Sequence, residues 1–248
     1  TGTIKDVEHI VILMQENRSF DQYFGTLMGV LGFGDRFTIP LPKGRNVWQQ
    51  VDKTDTPILP YHLDQTKGNA LRAGQTPHDW SDGQDAWDGG RNYQWPRYKH
   101  PLSMGYYKEA ELPYQTALAN AFTLCDGYHC SMHAGTNSNR MFLWTGTNGP
   151  TGAGVATVTN EWDDRRPPAS TSGYEWKTYP ERLEAATPKV KWIVYENIPD
   201  NYGDNPLTGF KQYRLANEAA KAKQITSQNP VPIYDPASDD VGNPLYKG

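Results

Sequence analysis

Short apolar runs alternate with segments of helical periodicity along this chain. The first run, residues 7–14, carries β-branched and other apolar side chains at consecutive positions. It predicts a buried strand of a parallel sheet, because a strand that is covered on both faces loses the alternation of a half-exposed one. Residues 122–126 and 191–195 are two further strand candidates.

Helical spacing fills the intervals between these runs. In residues 108–122 apolar side chains recur at helical intervals, and Pro113 predicts that the helix begins near that residue. Gly135, followed by threonine and asparagine, is typical of another helix N-terminus. Residues 181–186 predict a short helix, and residues 205–225 predict one in their second half. The alternation of strands and helices favours an α/β fold.

Residues 30–104 interrupt this alternation. Prolines punctuate the segment, tryptophans are interleaved with them, and no clear periodicity is visible. A long irregular stretch inside a domain is more often functional than a passive connection. We therefore interpret it as a long, aromatic-rich insertion.

Composition excludes several classes of function. The chain has 24 Lys and Arg against 28 Asp and Glu, so it lacks the basic excess that drives binding to phosphate backbones, and we expect no nucleic acid partner. Aromatic residues reach 12%, with 8 Trp and 15 Tyr, which argues against disorder. Every apolar run is shorter than the ~20 residues that a membrane-spanning helix needs.

The two cysteines, Cys125 and Cys130, leave two main interpretations open. Either they form one local disulfide, or they are separate buried thiols on a strand. A zinc site would need two more ligands, and only His129 and His133 lie nearby in the sequence. Zinc is therefore the weakest of the three interpretations.

Glu16 and Asn17 follow the first predicted strand at its carboxyl end. In open α/β sheets ligands bind at that edge, and carboxylate and amide oxygens suit a hard divalent cation. In the alternative interpretation Glu16 is a surface charge and Asn17 a turn residue, and spacing alone favours this alternative.

Thr136 and His78 are candidates for contact with an anion. The commonest use of a threonine at a helix start is the N-cap, but the same place offers backbone N–H groups and partial positive charge to a phosphate that a hydroxyl could attack. His78 precedes Asp79 and Trp80 in the irregular segment and suits a hydrogen bond to a bound anion or a leaving group. A plain surface histidine is an equal alternative.

Long segments of the chain resemble the bacterial phospholipases C of the non-haemolytic and haemolytic type. These enzymes belong to a phosphoesterase family that also contains a secreted acid phosphatase branch. The resemblance covers nearly the whole chain in order, and the segments that carry it are residues 9–25, 124–131, 134–140, 143–147, 179–183 and 200–207.

The resemblance implies a fold and a set of roles. The fold is an alkaline-phosphatase-like α/β core, a mostly parallel sheet flanked by helices, with residues 30–104 as the insertion. Glu16 and Asn17 match the pair that holds a divalent metal ion, whose identity the sequence leaves open. Thr136 matches the metal-activated nucleophile, and His78 matches a histidine that contacts the substrate phosphate. These matches favour the functional interpretation of Glu16 and Thr136 over the structural one.

The implied reaction is phospholipase C hydrolysis of the glycerol–phosphate ester in lipids of the phosphatidylcholine and sphingomyelin type. Trp80, Tyr106 and Tyr107 are candidates to hold a choline head group by cation–π attraction. An acid phosphatase or broader phosphodiesterase is one alternative, and a non-catalytic fragment that binds head groups is another.

Family members continue for several hundred residues beyond the last segment matched here. We therefore expect residues 1–248 to be the N-terminal part of one catalytic domain, with further acidic metal ligands in the remainder or on a second polypeptide. The resemblance also implies secretion or periplasmic export with the signal peptide already removed, and transient contact with a membrane surface.

Overall fold

The computed structural model describes residues 2–149, 157–158, 173–195 and 204–226. The chain divides into two compact units. The first unit comprises Thr1–Thr76 and Arg91–Tyr128, and the second comprises Pro77–Gly90 and His129–Gly248. The segment that carries His78 thus belongs to the same unit as Thr136.

Helices dominate the regular structure. They are α1 (Phe20–Phe24), α2 (Trp80–Trp87), α3 (Trp95–Lys99), α4 (Pro113–Ala121), α5 (Thr136–Thr145), α6 (Tyr179–Glu184) and α7 (Lys211–Thr226). The strands have two residues each and are β1 (Pro40–Leu41), β2 (Arg45–Asn46), β3 (Gln50–Val51), β4 (Pro57–Ile58), β5 (Tyr61–His62) and β6 (Gly105–Tyr106). In the described ranges no helix is long and apolar enough to cross a membrane.

Three two-stranded sheets lie in the first unit. The pairs β1–β2 and β3–β4 are antiparallel, and β5–β6 is parallel with Tyr61 opposite Gly105. Prolines begin β1 and β4, which limits the ladders because proline donates no backbone hydrogen bond. The segment interpreted as an insertion, residues 30–104, holds β1–β5, α2 and α3.

A buried amide ties part of this segment together. Gln50 is only 2% exposed. Its Nε2 donates to the carbonyl oxygens of Val47 and Asn92, both at 2.6 Å, and its Oε1 accepts from the Trp95 backbone N–H at 3.2 Å. Because one side chain satisfies three backbone groups, β3 and the start of α3 hold together without a large apolar core.

The core of the second unit is small and aromatic. Met141 of α5 and Phe210, just before α7, are both fully buried, and Tyr174, Trp176 and Tyr213 pack against them. Phe210 makes edge-to-face contacts with Tyr174 and Trp176 at centroid distances of 5.6 and 5.3 Å. These contacts fix α5 against the segment that leads into α7.

The helices predicted from the sequence are confirmed. The helix α4 begins at Pro113, α5 begins at Thr136, α6 spans the region of Pro180, and α7 occupies the second half of its predicted segment. For α4, α5 and α6 the deciding signal is local, since proline pre-forms the first turn of α4 and α6 and glycine tolerates the N-cap conformation of α5.

The three predicted strands are wrong for this structure. In the described ranges residues 7–14, 122–126 and 191–195 do not form strands, and apolar side chains in the first run are exposed, with Ile10 at 80% and Val11 at 90%. A strand exists only when a second strand supplies the hydrogen bonds, and an apolar run does not specify that partner.

The mostly parallel sheet is likewise not found in the described ranges. Parallel pairing there is confined to β5–β6 and an isolated bridge between Tyr174 and Phe210. The observed architecture is one of helices with small sheets.

Candidate active site

Thr136 is the first residue of α5, and Gly135 occupies the N-cap position before it. The interpretation of Thr136 as an N-cap is therefore wrong by one residue. Gly135 has no side chain to accept a hydrogen bond from the first helical N–H groups. The positive end of α5 thus begins directly at the half-buried threonine, which suits interaction with an anion.

Packing anchors the first turns of α5. Asn137 and Ser138 are 2% and 0% exposed, and Met141 is one of the two fully buried core residues. The Arg140 guanidinium lies 3.2 Å from the Asp204 carboxylate. Burial on one side and the ion pair of Arg140 therefore both hold the start of α5 in place.

The helix α2 lies against the backbone that leads to Thr136. A Cβ added at Gly83 would lie 2.7 Å from the His133 carbonyl oxygen, so only glycine allows this approach. The Trp87 ring packs on the His133 ring at a centroid distance of 5.5 Å. His78 is exposed and precedes α2, whose N-cap is Asp79. The structure thus places His78 and Thr136 on two segments joined by direct packing.

Glu16 and Asn17 lie in the first unit, after the exposed apolar run. Asn17 has a φ of 64°, in the left-handed region that asparagine tolerates better than most residues. Glu16 is half-buried. Two residues on, the Ser19 hydroxyl accepts from the Gln22 N–H at 3.3 Å and caps α1.

The chemistry of these donors fits a hard divalent cation. A carboxylate and an amide oxygen stand on consecutive residues at a bend of the backbone, and both are oxygen ligands of the kind that such ions prefer. In the described residues no group of three or more His, Cys, Asp or Glu is arranged to hold a metal ion. A complete coordination shell around Glu16 and Asn17 would therefore need further ligands.

Both interpretations of the cysteines are wrong. Cys125 and Cys130 are free and exposed, so they are neither bridged nor buried on a strand. His129 is exposed, and the His133 ring packs on Trp87. In the part of the chain that the structure describes, these four residues form no metal-binding group.

The three aromatic candidates for a head-group site occupy different environments. Trp80 is 42% exposed at the first position of α2. Tyr106 is half-buried between Phe33 and His62, at ring-centroid distances of 5.1 and 5.8 Å. Tyr107 is 2% exposed, and its hydroxyl donates to the Ala70 carbonyl oxygen at 2.8 Å. This burial favours a structural role for Tyr107, whereas Trp80 presents a ring to solvent.

Two titratable groups escaped the sequence analysis. Burial raises the pKa of Asp21 to about 6, and its Oδ1 is buried without a hydrogen-bond partner in the described structure. The Glu111 carboxylate lies 2.9 Å from His62 Nε2, and that hydrogen bond is the main cause that lowers the pKa of Glu111. Neither arrangement leaves a sequence signal, since burial and a pairing 49 residues apart depend on the fold.

Asn139 also escaped the sequence analysis. Its side chain hydrogen bonds to the backbone of residues 131–135, the loop that leads into Thr136. A signal existed, because an asparagine in the first turns of a helix often bonds nearby backbone groups.

Residues 7–236 match the model of the Phosphoesterase family. The chain belongs to the phosphoesterase family. It is 56% identical over 216 residues to a protein named non-hemolytic phospholipase C from Pseudomonas aeruginosa, a match that covers 87% of this chain and 30% of that protein. It is 45% identical to the hemolytic phospholipase C of the same organism, over 79% of this chain and 26% of that protein.

A more distant member of the phosphoesterase family gives a longer match. Phospholipase C B of Mycobacterium tuberculosis is 38% identical over 271 residues, which cover 99% of this chain and 50% of that protein. The chain thus spans between about a quarter and a half of the length of these three relatives. The resemblance to phospholipases C inferred from the motifs is confirmed.

Proposed function

We propose that this chain carries the nucleophile of a phospholipase C that hydrolyses the ester between phosphate and the lipid alcohol, which is glycerol in phosphatidylcholine-type lipids and ceramide in sphingomyelin-type lipids. The observation that supports this most directly is the position of Thr136 at the first residue of α5, with glycine at the N-cap. Membership of a family whose relatives are named phospholipase C supports the reaction class.

The proposed reaction has two steps. The Thr136 oxygen attacks phosphorus in line, a new phosphorus–oxygen bond forms, and the bond to the glycerol oxygen breaks as that oxygen takes up a proton. Water then attacks the phosphothreonine, releases the phosphorylated head group and restores the hydroxyl. The backbone N–H groups and dipole at the start of α5 stabilise the negative charge that develops on the phosphate oxygens.

His78 and Trp80 have supporting roles in this proposal. The exposed His78 imidazole donates a hydrogen bond to the substrate phosphate. The exposed ring of Trp80 offers a face to a quaternary ammonium group by cation–π attraction. Tyr106 is a second candidate for that contact, and Tyr107 is a weaker one because it is buried.

Glu16 and Asn17 would hold a divalent metal ion together with further ligands, and the family resemblance alone assigns Thr136 to the same set. When bound, the ion would neutralise phosphate charge and make the hydroxyl a better nucleophile. The carboxylate of Glu16 supplies the negative charge that such an ion needs, and the Asn17 amide oxygen adds a second hard donor on the next residue.

We further propose that the fold is alkaline-phosphatase-like. In this arrangement residues 7–14, 122–126 and 191–195 pair with strands from the remainder of one catalytic domain, on the same polypeptide or on a second. The exposure of Ile10 and Val11, at 80% and 90%, supports this, because covering apolar side chains lowers the free energy of the folded protein. Secretion or periplasmic export, and transient contact with a membrane surface, rest on the family resemblance alone.

Replacement of Thr136 tests the proposed function. In the product of the complete gene we expect Thr136→Ala to lower phosphocholine release from phosphatidylcholine vesicles by at least about 10³-fold, because the attacking oxygen is gone. Thr136→Ser should keep part of the activity, and both variants should unfold at the wild-type temperature. Near-normal turnover by Thr136→Ala would contradict the assignment.

The substrate panel separates the alternatives. Phosphatidylcholine, sphingomyelin and a simple aryl phosphomonoester are assayed side by side, with and without a chelator. A preference for the monoester would favour an acid phosphatase. Head-group binding without turnover by the wild type would favour a non-catalytic fragment. Activity that survives the chelator unchanged would remove the metal from the proposal.

A further inference from the structure

The Asn139 side chain contacts five backbone atoms in the loop of residues 131–135. Its Oδ1 accepts from the N–H groups of Ser131 and Met132, at 3.1 and 3.2 Å. Its Nδ2 lies 3.1, 3.0 and 3.1 Å from the carbonyl oxygens of Met132, Ala134 and Gly135. One side chain therefore brackets the whole loop from within α5.

The partners of the amide define its orientation. Exchange of the oxygen and nitrogen would place two donors against two backbone N–H groups and a lone acceptor against three carbonyl oxygens. Only the observed orientation gives each of the five groups a complementary partner, with the two Nδ2 hydrogens shared among three carbonyl oxygens. A change of the same size that keeps the Oδ1 acceptor but replaces the Nδ2 donor with an acceptor should therefore break the hydrogen bonds without creating a cavity.

Contacts from other parts of the second unit hold the same loop from outside. The Met132 sulfur accepts from Asn148 Nδ2 at 3.1 Å. The helix α2 approaches the His133 backbone through Gly83, and its Trp87 ring packs at a tilt against the His133 ring. The loop ends at Gly135, so any displacement of its backbone passes directly to Thr136.

An ordinary cap does not account for these bonds. A capping side chain bonds the free N–H groups at the start of its own helix. Asn139 instead reaches back beyond the helix, to groups as far as eight residues earlier in the chain. Its bonds consequently fix where the helix start lies relative to the loop.

We propose that Asn139 is a positioning residue for catalysis, which holds the loop of residues 131–135 so that Thr136 is presented at a fixed place and angle. The inference rests on the proposed role of Thr136 as the nucleophile. A displacement of about 1 Å at a reacting atom can lower a rate by about 10²-fold, so a clamp of this kind acts on turnover more than on substrate affinity.

Asn139→Asp in the complete gene product tests this role. The change keeps the Oδ1 acceptor and turns a carboxylate oxygen toward three carbonyl oxygens. A negative charge near a helix N-terminus is otherwise favourable, so the helix itself should not suffer. We expect kcat for phosphatidylcholine hydrolysis to fall about 10²-fold, with KM within about threefold of the wild type.

The pH dependence of that loss separates positioning from general damage. A protonated carboxyl can again donate one hydrogen bond, so the ratio of variant to wild-type kcat should rise as the pH falls toward about 5. A ratio that stays constant with pH, or a variant with wild-type kcat, would overturn the proposal.

Asn120→Asp is the matched control. Asn120 is exposed near the end of α4, and the same chemical change there should leave kcat within about twofold of the wild type, although a carboxylate is less favourable at a helix C-terminus. An equal loss of kcat in both variants would show that charge, rather than the clamp, is responsible, and would overturn the proposal.

Hydrogen exchange of the wild-type backbone amides is a second test, which does not depend on whether Asn139→Asp folds. The backbone amides of Ser131 and Met132 donate to Asn139 and should exchange far more slowly than the unbonded rate, although Ser131 is exposed. Unprotected amides at both positions would refute the clamp. A wild type with no lipid hydrolysis but protected amides would refute the proposed function and leave the clamp as a structural feature.

Discussion

Two segments that precede candidate site residues are built in opposite ways. The loop of residues 131–135 leads into Thr136, and an asparagine in the next helix binds its backbone at five points. The run of residues 10–14 leads toward Glu16 and Asn17, forms no strand in the part of the chain that the structure describes, and exposes Val11 by 90%. Hydrogen bonds to a polar side chain hold the loop in place, whereas the run is apolar and largely exposed.

The difference lies in the distance along the chain to the partner. Asn139 is only eight residues from Ser131, so the loop and its brace form together at little cost in chain entropy. A strand over residues 10–14 depends on neighbours that the local sequence does not specify. A polar residue near a helix start can thus fix the neighbouring loop through local hydrogen bonds, whereas an apolar run needs partner strands from elsewhere in the chain.

The largest expected effect is a loss of stability in the buried core, compared with almost none in the exposed run. Phe210→Ala removes a fully buried ring that packs on Tyr174 and Trp176, and should lower the free energy of unfolding of this chain by about 3–5 kcal/mol. The matched change Val11→Ala should stay within about 0.5 kcal/mol of the wild type. Urea unfolding measures both. Equal losses would mean that the run is packed in solution.

A smaller effect is expected where α2 touches the loop. Gly83→Ala would gain about 1 kcal/mol from helix propensity, but the added Cβ lies 2.7 Å from a backbone oxygen of His133, which cannot swing away. The collision should prevail, with a net loss of about 1–2 kcal/mol in thermal or urea unfolding. Gly34→Ala, with no atom within 4 Å, is the control. A stabilised Gly83→Ala would show that the contact is loose.

The smallest effect concerns Asp21 in the first unit. Its buried Oδ1 has no hydrogen-bond partner in the described structure, unlike the amide of Asn139. The pKa of Asp21 is raised by burial to about 6, so between about pH 4 and 6 the folded state binds more protons than the unfolded state, and stability falls as the pH rises. Asp21→Asn should remove this dependence. Because solvent still reaches this side chain, the expected gain in unfolding free energy at pH 7 is about 1 kcal/mol.

An aspartate with the opposite shift is the control for that measurement. Hydrogen bonds from the Thr66 side chain and backbone lower the pKa of Asp64 to about 2. Its folded form therefore binds fewer protons, and Asp64→Asn should lose rather than gain stability at pH 7. Urea unfolding at pH 4 and pH 7 compares the two variants. A gain from Asp21→Asn that persists at pH 4 would assign the effect to something other than ionisation.

The helices could be predicted from the sequence because their signals are local. Pro113 and Gly135 stand at or just before the first residues of α4 and α5, as the sequence indicates. The phosphoesterase motifs were equally readable, since they are long and occur in order. Thr136 and Glu16 were singled out through those motifs, and spacing alone favoured their structural alternatives.

Other features depend on contacts that no local pattern encodes. The apolar character of residues 10–14 is real, but it does not say whether a partner strand is present. The hydrogen bonds of Asn139 form only when the second unit folds. The same is true of the close approach of Gly83 to His133, which leaves no room for a Cβ. Cys125 lies in a segment predicted as a strand, and in the described structure that segment forms no strand and Cys125 is exposed.

The exposed run also has a consequence for handling the chain. Residues 9–15 combine high β-propensity with no formal charge at neutral pH, no proline and no glycine, which is the composition of segments that nucleate amyloid-like association. With Ile10 and Leu13 each 80% exposed, two molecules can pair these segments edge to edge. We therefore expect this short stretch to limit solubility of the chain at high concentration, and a single charge placed at Val11 to reduce self-association.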